Sequence, residues 1–447
     1  MTPARLGFRG MLIINNDRLR TLERARNEIL SLQEQFPSVA RYEIKLAELW
    51  SRAAGSAAYE GLGSFSLSRF HQRPVTSRHD LKAAPWSYVA GGLERASKYY
   101  ETTGTAGPVT PTPRYVEDII WNVVSVAEAW RGLFDAQDRV LVLLPSDIVP
   151  VGDLVVGVCE YLDLLHTRCY PMTAGISDWD RLIGVWRSLR PTVITVPPGL
   201  AVQLTRLLKQ RELLAELSCS VRLLMLLGEV STPAMRRRLG EWWAATAYDA
   251  SYGSTETGTL ATTCGHSQLH LRVATNYFEI ATPEGIVPLA GAAAGRLIVT
   301  PLNLYARPLL RFDTGDQVSV GAGCRCGGGT PTVVIHGRAA DSIRIHDVEL
   351  SVRSVEDLVF GLTTATGYLI ELSQGHDYGR LLLERDVGAR ADAEHAESAA
   401  LRGACASRLG LRWDDIVYVN ALPVSTKSGA AAKSWKRTNV RVVERVG

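Results

Sequence analysis

Cysteine is sparse in this chain. Seven cysteines are spread over 447 residues, an odd number at wide spacing, which excludes the cystine framework of a small secreted domain. Charge of one sign is missing too. Basic side chains number 49 and acidic ones 46, a net +3, so the composition calls for neither nucleic acid nor an anionic membrane as partner. Long apolar runs are lacking. The nearest, VLVLLPSDIVPVGDLVVGV at 140–158, is broken by Pro145, Asp147, Pro150 and Asp153, short of the ~18 consecutive apolar residues that a bilayer span requires. Arg5, Arg9, Asp17 and Arg18 do not suit a signal peptide, and a cytoplasmic location is the expectation. There is no internal repeat and no low-complexity tract.

What is present is a globular composition, 46% apolar and 21% charged, in a chain too long for one ordinary core. Residues 19–56 read as charged amphipathic helices capping the N-terminal end. A helix is expected near 116–134 and strands at 139–145 and 192–197. Helix 199–217, strand 221–227, helix 233–243 and strand 246–252 follow. Such alternation predicts an α/β fold with doubly covered sheets, whose ligands settle at the carboxyl ends of strands. Short strands at 277–281, 295–302 and 332–336 predict a small β subdomain. A third, α+β unit has strands near 367–373, 379–385 and 415–421 and a helix near 390–408. The expected division is a large domain of residues 1–339 and a mobile lid of 340–447, hinged at Arg338–Asp341.

Four motifs carry chemistry. SYGSTETG at 251–258 sets an aromatic (Tyr252), a hydroxyl (Thr255) and a carboxylate (Glu256) on a small-residue turn. A nucleotide site needs a face for a base, a donor for phosphate and an oxygen for Mg²⁺; the alternative is a turn whose Thr-Glu pair opens a helix. Thr102, Thr103, Gly104, Thr105, Ala106 and Gly107 form a run of hydroxyls and small residues whose N–H groups can cradle phosphate oxygens. No Gly-Lys-Ser/Thr follows, so it is not a P-loop. RFDTGD at 311–316 offers Asp316 as acceptor for two ribose hydroxyls. GRAAD at 337–341 carries Arg338 beside small residues.

In this order and spacing the motifs resemble the adenylate-forming superfamily of acyl and aryl ligases, and most closely its phenylacetate–CoA ligase-like branch. The likeness runs from about Arg73 to the C-terminus and includes PTVITVPPGLAVQL, LLGEVSTPAMRRRL and GRLIVTPLNLYARPLLRFDTGD. It implies an enzyme that joins ATP to a carboxylic acid as acyl-AMP and passes the acyl group to a thiol of CoA or of a carrier protein. It further implies that the loop 102–107 holds the β- and γ-phosphates. Tyr252 would stack on adenine between Gly228, Glu229 and Ala250, with Ser251 and Gly253 completing the turn. Thr255 would touch the α-phosphate, Glu256 would bind Mg²⁺, and Asp316 and Arg338 would hold the ribose. The acid pocket is expected at Ser146, Asp147, Val149, Val151, Gly228, Val230 and Ala250–Ser251. Asp147 would meet an amino or hydroxyl group on an aromatic acid, or else cap the turn or helix that follows.

The departures are specific. Pro108 stands where such loops carry lysine, and Ala340 stands where the hinge carries an acid. His346-Asp347 replaces Arg-Gly, which tilts the acceptor toward a carrier protein or another acceptor than CoA. In LPVSTKSGAAAKSWKR at 422–437 the relatives' Gly-Lys is Gly429-Ala430. Lys433 or Lys436 serves in a shifted register, or the lysine was lost naturally, or it was replaced by design. An amine acceptor, or a nucleotide-binding homologue that no longer turns over, are the alternatives these departures raise.

A separate set of ligands flanks the β subdomain. Cys264 and His270 stand six apart and Cys324 and Cys326 two apart, the donor types of a closed, structural Zn²⁺ site. His266 is the alternative fourth ligand.

Overall fold

The computed structural model describes residues 15–32, 36–102, 109–145, 147–173, 175–229, 231–338, 342–387, 389, 391–422 and 439–443. The chain divides into two compact units, one of Met1–Arg168 with Ala250–His336 and the other of Cys169–Asp249 with Gly337–Gly447. The second unit thus joins 169–249 to the residues expected to form the lid. Ala339, Ala340 and Asp341 of the expected hinge lie outside the described residues.

The first unit is built around an eight-stranded sheet. Its strands, in spatial order, are Gly285–Pro288, Asn276–Thr282, Ala293–Pro301, Phe312–Gly321, Thr332–Arg338, Leu269–Leu271, Gly258–Thr263 and Ser251–Ser254. Side chains alternate across a strand, so one face can be dry. Phe312–Gly321 follows that rule, burying every second residue. The buried face gathers Leu260, Leu271, Phe278, Leu297, Val299, Phe312 and Val333. The helix Val39–Ala53 closes a neighbouring core, setting Leu46, Leu49 and Trp50 against Phe70, Tyr277 and Leu310. The helix Val116–Trp130 is fixed at its start by Asp118. This carboxylate is buried, yet it accepts from the N–H groups of Tyr115, Tyr305 and Ala306. Lys98–Glu101 and Pro111–Arg114 form an antiparallel hairpin, and Arg139–Val142 pairs in parallel with Leu165–Arg168.

In the second unit Val193–Val196, Leu223–Leu226 and Thr246–Asp249 run parallel. The first two, VITV and LLML, are buried throughout, as strands covered on both faces must be. Trp186 stacks on Trp243 at 5.6 Å; their indole N–H groups donate to the Leu217 carbonyl and the Thr205 hydroxyl. A four-stranded sheet orders Asp415–Val419, Gly379–Glu384, Gly367–Ser373 and Val440–Val443. The helix Val352–Leu362 packs on Pro233–Trp243.

Three expectations are corrected. Helix 199–217 is two helices, Pro198–Gln210 and Leu214–Ser218, separated where Glu212 takes a left-handed φ of 57°. Strand 246–252 is broken at Ala250 into Thr246–Asp249 and Ser251–Ser254, because the chain there leaves a parallel ladder for an antiparallel one. The small β pieces belong to one large sheet that starts at Ser251 and not after residue 258. Among the described residues no helix is long and apolar enough to cross a membrane.

Candidate functional site

SYGSTETG forms a tight hairpin and does not open a helix. Ser251–Ser254 pairs antiparallel with Gly258–Thr263, with a shift of register at Tyr252 and Gly253. The register forces glycine at 253, where a Cβ would stand 2.2 Å from the Gly258 carbonyl oxygen. The Ser254 hydroxyl accepts from the Thr257 amide at 3.3 Å and closes the turn. Thr255 is half-buried and Gly253 exposed, while Glu256 and Thr257 at the tip are buried.

The fold brings RFDTGD to this hairpin. The Tyr252 hydroxyl donates to Asp316 Oδ2 at 2.6 Å across 64 residues of sequence. The Tyr252 ring packs on the apolar face of the sheet, and burial first, then the Asp316 charge, raise its hydroxyl well above the usual value. Asp316 is itself buried, and its amide donates to the Thr314 hydroxyl at 3.1 Å.

Glu256 is a buried carboxylate among cations. Burial pushes its pKa up, but Arg78 at 3.5 Å leads a set of partners that outweigh burial and hold it below the usual carboxylate range. It is therefore ionised at neutral pH and suits a hard cation that arrives with phosphate oxygens. Arg114, from the end of the hairpin strand Pro111–Arg114, grips the backbone of the same turn. Its Nη2 donates to the carbonyls of Thr255 at 2.7 Å and Glu256 at 3.0 Å. Arg78 Nε donates to the Thr314 carbonyl at 2.8 Å. Arg307 adds a third guanidinium, fully buried and within the electrostatic reach of Glu256 and Arg114. None of these arginines was singled out from the sequence. Nothing in the pattern distinguishes a buried arginine from an exposed one, because only the tertiary fold decides which is desolvated.

The other expected residues fall in several places. Thr102 is half-buried at the base of its loop, where its hydroxyl accepts from the Thr110 amide at 2.9 Å. Thr103, Gly104, Thr105, Ala106, Gly107 and Pro108 lie outside the described residues, as do Ser146, Val230, Gly429, Ala430, Lys433 and Lys436. Ala250 is fully buried, and its carbonyl accepts from the Trp130 indole and the Thr263 amide. Ser251 is half-buried. Gly228 is exposed and Glu229 half-buried just after Leu223–Leu226 in the second unit, where Arg338 is exposed at a strand end. Asp147 is exposed, Val149 buried and Val151 half-buried. The helix Val151–Leu162 starts on Pro150 without a side-chain cap, so Asp147 does not cap that helix.

Cys264, His270, Cys324 and Cys326 converge, with one ligand atom of each within 4.8 Å of all the others. Cys264 Sγ lies 3.7 Å from Cys324 Sγ, and Cys326 Sγ lies 3.3 Å from His270 Nε2. The His270 ring faces the Thr330 carbonyl through Nδ1 at 3.0 Å. That contact favours the tautomer with Nδ1 protonated and leaves the Nε2 lone pair toward the sulfurs. Burial lowers the His270 pKa, which keeps the ring neutral. The Gly328 amide points at Cys326 Sγ from 3.4 Å. Three thiols and one imidazole on such a footprint fit a tetrahedral ion. His266 is exposed and stands outside the group.

No family model matches the chain. Its sequence is 25% identical over 313 residues to a phenylacetate–coenzyme A ligase of Escherichia coli, covering 68% of this chain and 70% of that one. It is 24% identical over 354 residues to a phenylacetate–coenzyme A ligase of Thermus thermophilus, covering 77% of each. In fold it is similar to a 2-hydroxyisobutyryl-CoA ligase solved in the postadenylation state with 2-HIB-AMP. The TM-score is 0.74 at 18% identity, over 99% of this chain and 94% of that one. In sequence the chain is thus similar to phenylacetate–coenzyme A ligases, and in fold to a 2-hydroxyisobutyryl-CoA ligase.

Proposed function

We propose that this protein activates a carboxylic acid with ATP as an acyl-adenylate and then transfers the acyl group to a thiol. The observation that carries the reading is the Tyr252–Asp316 bond beside the ionised, buried Glu256. It sets an aromatic face, a carboxylate suited to ribose hydroxyls and a carboxylate suited to a cation on one wall of the first unit. Both reactants are anions, so catalysis of this kind is positioning and charge neutralisation. Glu256 would hold Mg²⁺, which supplies charge neutralisation at the phosphates. Thr255 offers a hydroxyl to the α-phosphate and Asp316 accepts from the ribose. The substrate is proposed to be an aromatic acid, with Asp147 meeting a ring amino or hydroxyl group. The thiol is that of CoA or of a carrier protein's phosphopantetheine arm, and residues 340–447 are proposed to act as the mobile lid. Cys264, His270, Cys324 and Cys326 are proposed to hold a structural Zn²⁺.

Acid-dependent exchange of pyrophosphate into ATP, run over a panel of benzoates with amino and hydroxyl substituents, tests the reading. Exchange with one or more acids is expected; none with any acid would overturn it. A second reading, a nucleotide-binding homologue that has lost turnover, is favoured by Ala430 in the place of the relatives' lysine. Ala430→Lys separates the two. It should raise adenylation by ~10²–10³ if a cation at the developing charge is missing. No gain, together with a large loss in Lys433→Ala, would assign the role to Lys433.

A further inference from the structure

Arg114 and Arg307 carry buried hydrogen-bond donors that nothing among the described residues serves. Arg114 spends Nη2 on the Thr255 and Glu256 carbonyls, and its Nη1 has no partner there. Arg307 gives Nη1 to the Pro111 carbonyl, and its Nε and Nη2 have none. The buried Thr110 hydroxyl, at the base of the same hairpin, is unpartnered as well. Arg307 is 0% and Arg114 6% exposed. Glu256 and Asp118 are the carboxylates near both Arg114 and Arg307. Asp118 is moreover occupied by three backbone amides, and Arg78 lies on Glu256.

A buried donor left unserved bears its full desolvation cost, and a larger one when it is charged. Native proteins keep few such groups without a ligand or an ordered water. An anionic oxygen accepts more strongly than water from such charged donors, and guanidinium groups suit phosphate oxygens best.

We propose that Arg114 and Arg307 form an anion-binding point at the Thr255–Glu256 turn, filled by phosphate oxygens of the bound nucleotide. Arg114 then has two roles in one side chain, holding the turn through Nη2 and meeting the anion through Nη1. The proposal rests on the nucleotide reading of this turn, but it is tested without any acid substrate. A chain that binds pyrophosphate and shows no exchange would keep this inference and lose the adenylation reading.

The experiment is titration calorimetry of the full-length protein with inorganic pyrophosphate and Mg²⁺, with adenosine as the phosphate-free control. The wild type should bind pyrophosphate. Arg307→Gln should weaken that binding by about 10–100-fold, the loss of one charge-assisted hydrogen bond, while adenosine affinity stays within about threefold. Arg307→Lys keeps the charge without the fork and should fall between them. Equal weakening of pyrophosphate and adenosine would overturn the proposal in favour of a purely structural role. So would unchanged pyrophosphate binding in Arg307→Gln, which would leave the donors to a buried water. If Arg307→Gln does not fold, Arg307→Lys and the wild type decide: a wild type whose melting temperature and calorimetry do not respond to pyrophosphate sinks the inference.

Discussion

At the residue scale, the Tyr252–Asp316 bond allows two contributions to the proposed nucleotide binding to be separated. Tyr252→Phe keeps the ring and removes only the hydroxyl that donates to Asp316. A net hydrogen bond is worth about 1 kcal/mol, so the KM for ATP should rise by about fivefold or less. Asp316→Ala also removes the proposed ribose acceptor and should raise it by about 10–100-fold; ATP dependence of pyrophosphate exchange measures both. If the two variants behave alike, Asp316 acts through Tyr252 and does not touch the ribose. The Cys-His group gives a second residue-scale prediction. Protein purified without chelator should carry about one equivalent of zinc, because the set leaves no open ligand position. Cys326→Ser or His270→Ala should lose the proposed metal and melt at lower temperature, since the affinity of a structural metal is folding free energy. Elemental analysis with a thermal melt reads both; a wild type without metal would sink the assignment.

At the element scale, helix ends carry much of the polar organisation. Asp118 is buried, yet it ties the start of Val116–Trp130 to the backbone at Tyr305 and Ala306. In the second unit the helix Val352–Leu362 buries Glu356, which accepts from the Tyr368 hydroxyl at 3.1 Å. Burial above all raises its pKa from 4.5 to about 7. The sign follows directly. Between those values the folded chain binds more protons than the unfolded one, so stability falls as pH rises through that window and the loss is complete above about pH 7. A shift of that size corresponds to about 3 kcal/mol. Glu356→Gln should therefore flatten the slope of unfolding free energy between pH 4.5 and 7 and make the protein more stable than wild type at pH 8. Urea unfolding at pH 5 and pH 8 checks it; a parallel slope in the variant would contradict it.

At the scale of the whole molecule, the second unit is assembled from two stretches of sequence, and polar contacts join them. The helix Pro198–Gln210 presents Arg206 and Lys209 to Glu384 and Asp386 at the end of Gly379–Glu384. Asp357 accepts from the Ala234 amide at the start of Pro233–Trp243, and Arg238 donates to the carbonyls of Phe360 and Thr363. These pairs are mostly buried, so removing one partner strands the other. Breaking such a pair costs about 3–5 kcal/mol. Glu384→Gln should destabilise the protein by that order, and a double-mutant cycle of Lys209 with Asp386 should return a smaller but measurable coupling. Additive single and double variants in urea unfolding would show that the Lys209–Asp386 pair contributes nothing.

What the sequence determined by itself was local or periodic. Continuous apolar runs such as VITV and LLML specify covered parallel strands, because both faces must be dry. The strands Gly367–Ser373 and Gly379–Glu384 and the helix Ala391–Leu409 lie within a residue of their expected ends, since alternation and helical spacing are read over short windows. The chemistry of SYGSTETG, RFDTGD and the Cys-His pairs was legible as residue type. Tertiary structure alone decided the rest. It set Tyr252 on Asp316, chose His270 over His266, broke the strand at Ala250 and drew Arg78, Arg114 and Arg307 around Glu256. Each of these depends on which side chains lose water and which backbone groups need partners. Desolvation and hydrogen-bond satisfaction are properties of contacts far apart in sequence, and no window along the chain contains them.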